Sequence, residues 1–260
     1  MIGKHLFQKI IRSLGLLLLV MTPSSLVWGE TLPAKKVKVA LIYTITTPEL
    51  KEDVVREIRK ELGDQVEILS YEDPSVFKES EVHGYVTARA AAKLIGMYMK
   101  AVEEGAEVIL SICSTVADAT CAMRDAAAYI GVPMIMINEE MCREAVRTGN
   151  RIAVMATFPT ALAPTKNILQ RVAREMGKQI EIIEVLVENG FGLEQESFKK
   201  LMAEKAGEIV NQADVILFAQ GSMAYCEEYI AGLYHKVVLS NPRFGAKAVK
   251  SALMEKGLVR

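Results

Sequence analysis

The chain has 260 residues and a formal net charge of −1, and about half of its residues are hydrophobic, which is enough for a large core in one or two compact domains. Charged residues are spread evenly, with no block of Lys and Arg among aromatic residues, and this argues against nucleic acid as a partner. The sequence has no G-x-G-x-x-G motif after a strand, no Walker loop, no C-x-x-C and no H-E-x-x-H, so we predict no nucleotide or metal cofactor.

The first 29 residues have the three-part pattern of an export signal. Basic residues precede a short apolar run over residues 14–21, and helix-breaking residues follow. We predict a signal peptide over residues 1–29, a polar linker over residues 30–36, and an exported mature protein, either periplasmic or extracellular. The apolar run is short for a bilayer, so we expect a membrane contact only if the segment stays uncleaved.

Export affects how the four cysteines are interpreted, namely Cys113, Cys121, Cys142 and Cys226. An even number of cysteines in an oxidising compartment is compatible with disulfides, whereas their irregular spacing and the large core do not require any. We expect Cys121 and Cys142 to be packing residues on helices.

Strand patterns and helix patterns alternate from residue 37 to residue 256. The first half contains predicted strands at 37–43, 66–69, 108–113 and 133–137 and helices at 48–62, 85–104, 115–130 and 139–147. The second half repeats this order, with strands at 152–156, 180–186, 215–219 and 236–239 and helices at 160–176, 194–211, 222–233 and 242–256. Such alternation predicts parallel pairing with right-handed crossovers. A polar loop over residues 70–83 is long for its place, and loops of that length are often functional.

Two segments of the first half recur in the second half. The segment that begins at Glu107 matches the one that begins at Asp214, which aligns Thr115 with Ser222 and puts Gln220 at the position of Cys113. We therefore predict an α/β fold with two pseudo-symmetric parallel-sheet lobes and the site in the cleft between them. The lobes are residues 37–149, completed by residues 236–260, and residues 150–235.

Cys113 is the main candidate catalytic residue, because it follows a buried strand and precedes a predicted helix. Ligands of parallel sheets bind beyond the carboxyl ends of the strands. A helix N-terminus stabilises thiolate and lowers the pKa of the thiol, and a thiolate can abstract a proton from carbon or attack a carbonyl. The alternative is that Cys113 is a small buried packing residue, and a reactive thiol outside the cytosol would be open to oxidation.

Hydroxyl residues near the strand ends are candidate ligands of a small carboxylate. The second repeated segment aligns Thr44 with Thr157 and Thr47 with Thr160. Hydroxyl and N–H groups at such turns can hold a carboxylate without a cationic side chain, although threonines there also cap helices. The predicted substrate-binding residues are Thr44, Thr47, Ser114, Thr115, Thr157, Thr160, Gly221 and Ser222. His83, in the long loop near Tyr85, is a further candidate acid or base, or a solvated surface residue.

These motifs resemble those of the aspartate/glutamate/hydantoin racemase superfamily. Cys113-Ser114-Thr115 is similar to the family's Cys-Asn-Thr, and residues 156–160, Ala-Thr-Phe-Pro-Thr, look like its Ala-Thr-x-x-Thr. Residues 239–245, Leu-Ser-Asn-Pro-Arg-Phe-Gly, resemble a late segment of hydantoin-racemase-like members, and the likeness covers about residues 36–249.

The resemblance implies an isomerase that uses no cofactor and carries one cysteine per lobe on opposite faces of the substrate carbon, and it points to a homodimer. This sequence departs from that pattern, because the second cysteine falls at Gln220, and an amide does not exchange a proton near neutral pH. Cys226 could replace the thiol only if its helix were shifted, and Tyr225 would be a weak base. One-thiol isomerisation, decarboxylation or hydrolysis therefore stands beside racemisation, and an exported binding protein for a small acid is the alternative from another class.

Overall fold

A computed structural model describes residues 36–260, so the predicted signal peptide and the linker up to residue 35 lie outside the described residues. Residues 36–260 form eight strands, each followed by one or two α-helices, with ten α-helices in all. The strands are β1 (Val37–Tyr43), β2 (Val66–Glu72), β3 (Val108–Ser111), β4 (Met134–Met136), β5 (Arg151–Ala156), β6 (Glu181–Leu186), β7 (Val215–Phe218) and β8 (Val237–Leu239). The helices are α1 (Pro48–Leu62), α2 (Pro74–His83), α3 (Ala88–Glu103), α4 (Ala117–Ala122), α5 (Arg124–Ile130), α6 (Glu139–Thr148), α7 (Pro159–Glu175), α8 (Gln195–Ile209), α9 (Glu227–Tyr234) and α10 (Asn241–Glu255).

The strands form two parallel sheets of the same topology. Their orders are β2-β1-β3-β4 and β6-β5-β7-β8. The register is also repeated, because Val39 lies opposite Val108 in the first sheet and Ile152 lies opposite Val215 in the second. The α/β fold class with two pseudo-symmetric parallel-sheet lobes is therefore confirmed.

Both faces of each sheet are buried, which explains why the strands are continuous apolar runs. In β1, Val39 and Leu41 face a cluster formed with α1 and α10, whereas Ala40 and Ile42 face α3. The second sheet repeats this arrangement, with α6 and α7 on one face and α8 and α9 on the other.

The two lobes exchange one helix each. Helix α6 follows the last strand of the first sheet, yet Met141 and Ala145 on it pack with Val154 of the second sheet. Helix α10 follows the last strand of the second sheet, yet Val249 and Leu253 pack on the first sheet. Strand β8 pairs with β7, so it belongs to the second sheet and not, as we predicted for residues 236–260, to the first lobe. The predicted boundaries at residues 149 and 236 thus do not separate the packing units.

The predicted long loop over residues 70–83 is wrong. Strand β2 continues to Glu72, and helix α2 follows it immediately. The helix begins there because the Asp73 side chain accepts a hydrogen bond from the N–H of Ser75 at 2.9 Å and Pro74 occupies the first turn, both of which favour a helix start.

Two predicted helices begin differently in the structure. The helix predicted over residues 115–130 consists of a 3-10 turn at Ser114–Val116 followed by α4 and α5. The helix predicted over residues 222–233 begins as a 3-10 turn at Gly221–Cys226 and continues as α9. All four cysteines have free thiols. Within residues 36–260, no helix combines the length and the apolar character needed to cross a membrane.

Candidate functional site

Four strand ends meet where the two lobes face each other. Because β1 and β3 are neighbours in the first sheet, the residue after β1, Thr44, lies beside Cys113. In the second sheet β5 and β7 are neighbours in the same way, and Thr157 after β5 contacts Gln220. Each lobe therefore places a threonine against the residue that the sequence repeat singles out.

Protein atoms closely surround the Cys113 thiol, although the residue as a whole is partly exposed. Burial raises the pKa of the thiol. The hydroxyl of Thr44, the hydroxyl and N–H of Thr115 and the N–H of Val116 are placed to donate to the thiolate, and they act in the opposite direction. The net shift is upward, so our prediction of a lowered pKa is wrong. The reason is that a 3-10 turn, and not the N-terminus of an α-helix, directly follows Cys113, and the N–H groups of this turn do not offset the desolvation of the thiolate.

Thr44 is fully buried, and its Oγ1 has no geometrically well-formed hydrogen bond to any residue in the described range 36–260. Buried hydroxyl groups are rarely left in that state. Since this hydroxyl lies beside the Cys113 thiol, it is placed to donate a hydrogen bond to a thiolate when one forms.

Gln220 is held in one orientation by Thr157. Its Oε1 accepts a hydrogen bond from the N–H of Thr157 at 2.6 Å, and its Nε2 donates to Oγ1 of the same residue at 2.9 Å. An amide neither gives nor takes a proton near neutral pH. Gln220 can therefore orient a ligand by hydrogen bonding, but it cannot act as the acid or base of the second lobe.

Cys113 and Gln220 line one small cavity of about 30 Å³ between the lobes. The predicted site residues that line it are Thr47, Cys113, Ser114, Thr115, Gln220, Gly221 and Ser222. None of the described residues around it carries a charge. The other predicted residues do not line the cavity. Thr44 lies beside the Cys113 thiol, Thr157 forms hydrogen bonds with Gln220, and Thr160 contacts Thr115 at 3.4 Å.

Direct contacts hold the two lobes together beside this cavity. The hydroxyl of Ser114 donates to the carbonyl of Ala219, and the side chain of Asn241 donates to the same carbonyl at 3.4 Å. Gly221 has no side chain because Leu50 of α1 and Asn241 occupy that space. Ser114 and Gly221 thus contribute to lobe closure as well as to the cavity wall.

Sequence reasoning missed a cluster of three phenylalanines beside the cavity. The rings of Phe77 and Phe158 are 5.0 Å apart, and those of Phe158 and Phe191 are 4.9 Å apart. Phe77 and Phe191 also line the cavity. The helix-start signals at Asp73 and Pro74 could have predicted α2, which carries Phe77, but no signal in the sequence links Phe191 to the site.

The remaining candidates lie elsewhere. His83 is the last residue of α2 and is exposed, with Nδ1 2.8 Å from the carbonyl of Glu79. Cys226 is buried in a hydrophobic cluster of the second lobe, away from the cavity, so it does not replace the missing thiol. Cys142 packs in the core. Among residues 36–260, no three His, Cys, Asp or Glu side chains are grouped closely enough to hold a metal ion.

Known structures share this two-lobed arrangement. An allantoin racemase from Klebsiella pneumoniae is 18% identical, with a TM-score of 0.60 over 86% of this chain and 90% of that one. A glutamate racemase from Bacillus anthracis is 16% identical, with a TM-score of 0.67 over 86% and 84% of the two chains. An arylmalonate decarboxylase is 14% identical, with a TM-score of 0.53 over 84% and 93%. At these identities the likeness establishes the fold, which is that of the two-lobed racemases.

The family follows from the sequence itself. The family model described as Asp/Glu/Hydantoin racemase matches residues 39–249, and the chain belongs to that family. This confirms the resemblance drawn from the Cys113 and Thr157 motifs. Racemases are isomerases, so the family assigns the chain to that class of enzyme. A comparison with curated proteins gives no match.

Proposed function

We propose that the protein is a cofactor-independent, racemase-like enzyme that acts on a small carboxylate with Cys113 as its single acid and base. The observation that carries the proposal is that one thiol and one fixed amide line the same uncharged cavity between the lobes. The hydroxyls of Thr47 and Ser222 line the cavity and can bind the carboxylate there, whereas that of Ser114 already donates to the carbonyl of Ala219.

A single thiol limits the reaction. The Cys113 thiolate takes the proton of the α-carbon, the electron pair stays on that carbon, and the resulting thiol returns the proton to the same face. Inversion requires a proton from the opposite face, where Gln220 has none to give.

Reactions that need only one proton donor agree better with this site than racemisation does. In a decarboxylation, for example, loss of carbon dioxide leaves a carbanion, which the neutral thiol protonates, and the raised pKa of Cys113 favours that neutral form. Isomerisation by one thiol and hydrolysis with Cys113 as nucleophile are the other one-thiol reactions.

The test is incubation in deuterated water with both enantiomers of small amino acids, with hydantoins and with substituted malonates. We expect label at the α-carbon, or carbon dioxide release from a malonate, without rapid loss of optical purity. Cys113→Ser should abolish the reaction, whereas Cys142→Ser removes a thiol outside the cavity and should leave it intact. Absence of label and of carbon dioxide release with every substrate would refute a proton-transfer function.

Gln220→Cys provides the complementary test. This substitution gives the second lobe a thiol at the position that the repeat aligns with Cys113. We expect it to add racemisation to the exchange reaction, because each face of the carbon then has its own acid or base. The variant protein should be folded, as judged by its unfolding temperature, before its activity is compared.

The alternative is a binding protein that holds a small acid and does not transform it. It is favoured by the same raised pKa of Cys113 and by the fixed amide of Gln220. Ligand affinity that is unchanged in Cys113→Ser, together with no turnover in the wild-type protein, would support binding. Lost turnover with retained affinity would support catalysis.

We also propose that the protein is exported and that residues 1–29 are removed. The support is the order of basic, apolar and helix-breaking residues in that segment. Expression of the full chain should yield a protein that begins at Glu30, as measured by N-terminal sequencing. A homodimer, which the family resemblance suggests, is tested by the mass of the purified protein in solution.

A further inference from the structure

The cavity at Cys113 is too small for a substrate by itself. Its volume of about 30 Å³ is enough for a water molecule, which needs roughly 10–15 Å³. Sites for small molecules are typically about ten times larger or more. A substrate whose reacting carbon lies at Cys113 must therefore extend beyond this cavity.

A second pocket of about 260 Å³ adjoins the first. We call it the outer pocket, and its distinctive residues are Glu49, Gln195, Phe198 and Tyr225. Thr46, Thr47, Phe191 and Ser222 line both pockets. Phe191 contributes to the wall of each, and it is more than one-third exposed, so its ring is not locked into the core.

The charge around the outer pocket is negative. Glu49 of α1 lies in its wall and accepts a hydrogen bond from Nε2 of Gln195 at 3.3 Å. No Lys, Arg or His is among the described residues that line either pocket. Burial is the largest cause of the raised pKa of Tyr225. Electrostatic repulsion by Cys226, Glu49, Glu194 and Glu196 raises this pKa further. Lys199 pairs with Glu196 at 2.9 Å, so the carboxylate that faces a ligand in the outer pocket is that of Glu49. A second carboxylate on a ligand would be repelled by this like charge.

Resting on the function proposed above, we propose that the outer pocket holds the substituent of the substrate, and that Glu49 and Phe191 select substituents that are neutral or cationic over those that are anionic. Thr47 and Ser222 lie between the two pockets and bind the carboxylate next to the reacting carbon. Substrates with one carboxylate are therefore favoured over dicarboxylates.

The experiment measures how well ligands protect Cys113 from alkylation by iodoacetamide, with the modified residue identified by peptide mass. The ligands are glutamate, glutamine, norvaline and ornithine, whose chains are similar in length but differ in distal charge. In the wild-type protein we expect glutamine and ornithine to protect better than glutamate. Glu49→Gln should strengthen protection by glutamate about two- to fivefold, which corresponds to the loss of one exposed charge contact. Glu52→Gln, on the exposed side of the same helix, should change nothing.

A second variant tests the role of Phe191, which lies in the wall of both pockets, without any ligand. Phe191→Ala joins the two pockets, so Cys113 should react several-fold faster with the bulky reagent N-ethylmaleimide. Tyr129→Ala removes an exposed ring that lines neither pocket and should have no such effect.

The outcomes separate this inference from the proposed function. Protection by none of the four ligands in any variant would overturn the carboxylate site at Cys113, and this inference with it. Equal protection by glutamate and glutamine, unchanged by Glu49→Gln, would overturn the selection by charge and leave the proposed function standing. An unaltered N-ethylmaleimide rate in Phe191→Ala would overturn the role of that ring.

Discussion

Replacement of Gly221 by alanine is the most direct test of how tightly the lobes close beside Cys113. A Cβ at this position would lie 2.5 Å from Cδ1 of Leu50 and 2.9 Å from Oδ1 of Asn241, whereas carbon atoms in contact prefer about 3.5–4.0 Å. Both neighbours are buried, so α1 and the turn at Gly221–Cys226 must move apart. The φ angle of Gly221 is not positive, and the cost is therefore steric. Overpacking of this kind lowers the free energy of unfolding by about 1–3 kcal/mol.

Thermal unfolding measures this cost. For a domain of this size, about 1 kcal/mol shifts the Tm by roughly 2–4 °C, so Gly221→Ala should lower the Tm by about 2–12 °C. Alkylation of Cys113 should also become faster, since the cavity wall moves. The matched control is Gly96→Ala in α3, where a Cβ would meet no atom within 4 Å. That change should stabilise the protein by up to about 1 kcal/mol, because alanine favours a helix interior over glycine. A Tm for Gly221→Ala equal to or above that of the wild-type protein would refute the reasoning.

Three further predictions follow from single contacts. Thr44→Val removes the hydroxyl that is placed to donate to the Cys113 thiolate and so lowers its pKa, and the pH midpoint of Cys113 alkylation should therefore rise; an unchanged midpoint would exclude this contact. Leu110→Ala deletes a fully buried side chain of β3 and should lower the free energy of unfolding in urea by about 2–5 kcal/mol; a loss below that range would mean that the core can collapse around the site. Hydrogen bonds from Arg151 lower the pKa of Asp214 to about 2, below its ordinary value of about 3.9 in the unfolded chain. Its stabilising effect is therefore fully present well above pH 4 and is lost as the pH falls through 2, so Asp214→Asn should be less stable than the wild-type protein at pH 7, and this difference should become small as the pH approaches 2; a constant difference across this range would contradict the assignment.

Much of the fold could be predicted from local signals. The apolar runs at β1, β3, β5 and β7 are buried on both faces, and such strands read as continuous hydrophobic segments. The alignment of Glu107 with Asp214 gave the correct equivalence of β3 and β7, because the register against the neighbouring strand is the same in both lobes. The pairing of Thr44 with Cys113 and of Thr157 with Gln220 follows from that equivalence.

The alignment was less reliable beyond the strand ends. It equated Thr47 with Thr160, but Thr47 caps α1, whereas Thr160 lies inside α7. The connection after β5 is shorter than the one after β1, so the two threonines do not occupy equivalent places. A sequence repeat preserves strand register because pairing depends on it, whereas loops change in length without that constraint.

Other features depend on packing that no local pattern reports. The sign of the pKa shift of Cys113 is set by the protein atoms that surround the thiol, and the sequence indicated only the N–H groups that follow it. Phe77 and Phe191 come from distant parts of the chain and meet only because α2 and the segment before α8 both reach the cleft. Whether a helix such as α6 packs on its own sheet or on the other one is likewise decided by the assembled core.

The exchange of α6 and α10 means that neither half of the polypeptide is complete. Cleavage of the backbone between Gly149 and Asn150 would leave the first fragment without α10 over its sheet and with the apolar side of α6 uncovered. The second fragment would have the opposite defect. Each fragment should therefore aggregate or remain unfolded alone, and mixing the two should restore a folded heterodimer. Because each lobe depends on a helix from the other half, the intact protein should unfold in one cooperative step. Any widening of the cleft must bend the chain near α6 and α10 without separating these helices from their sheets.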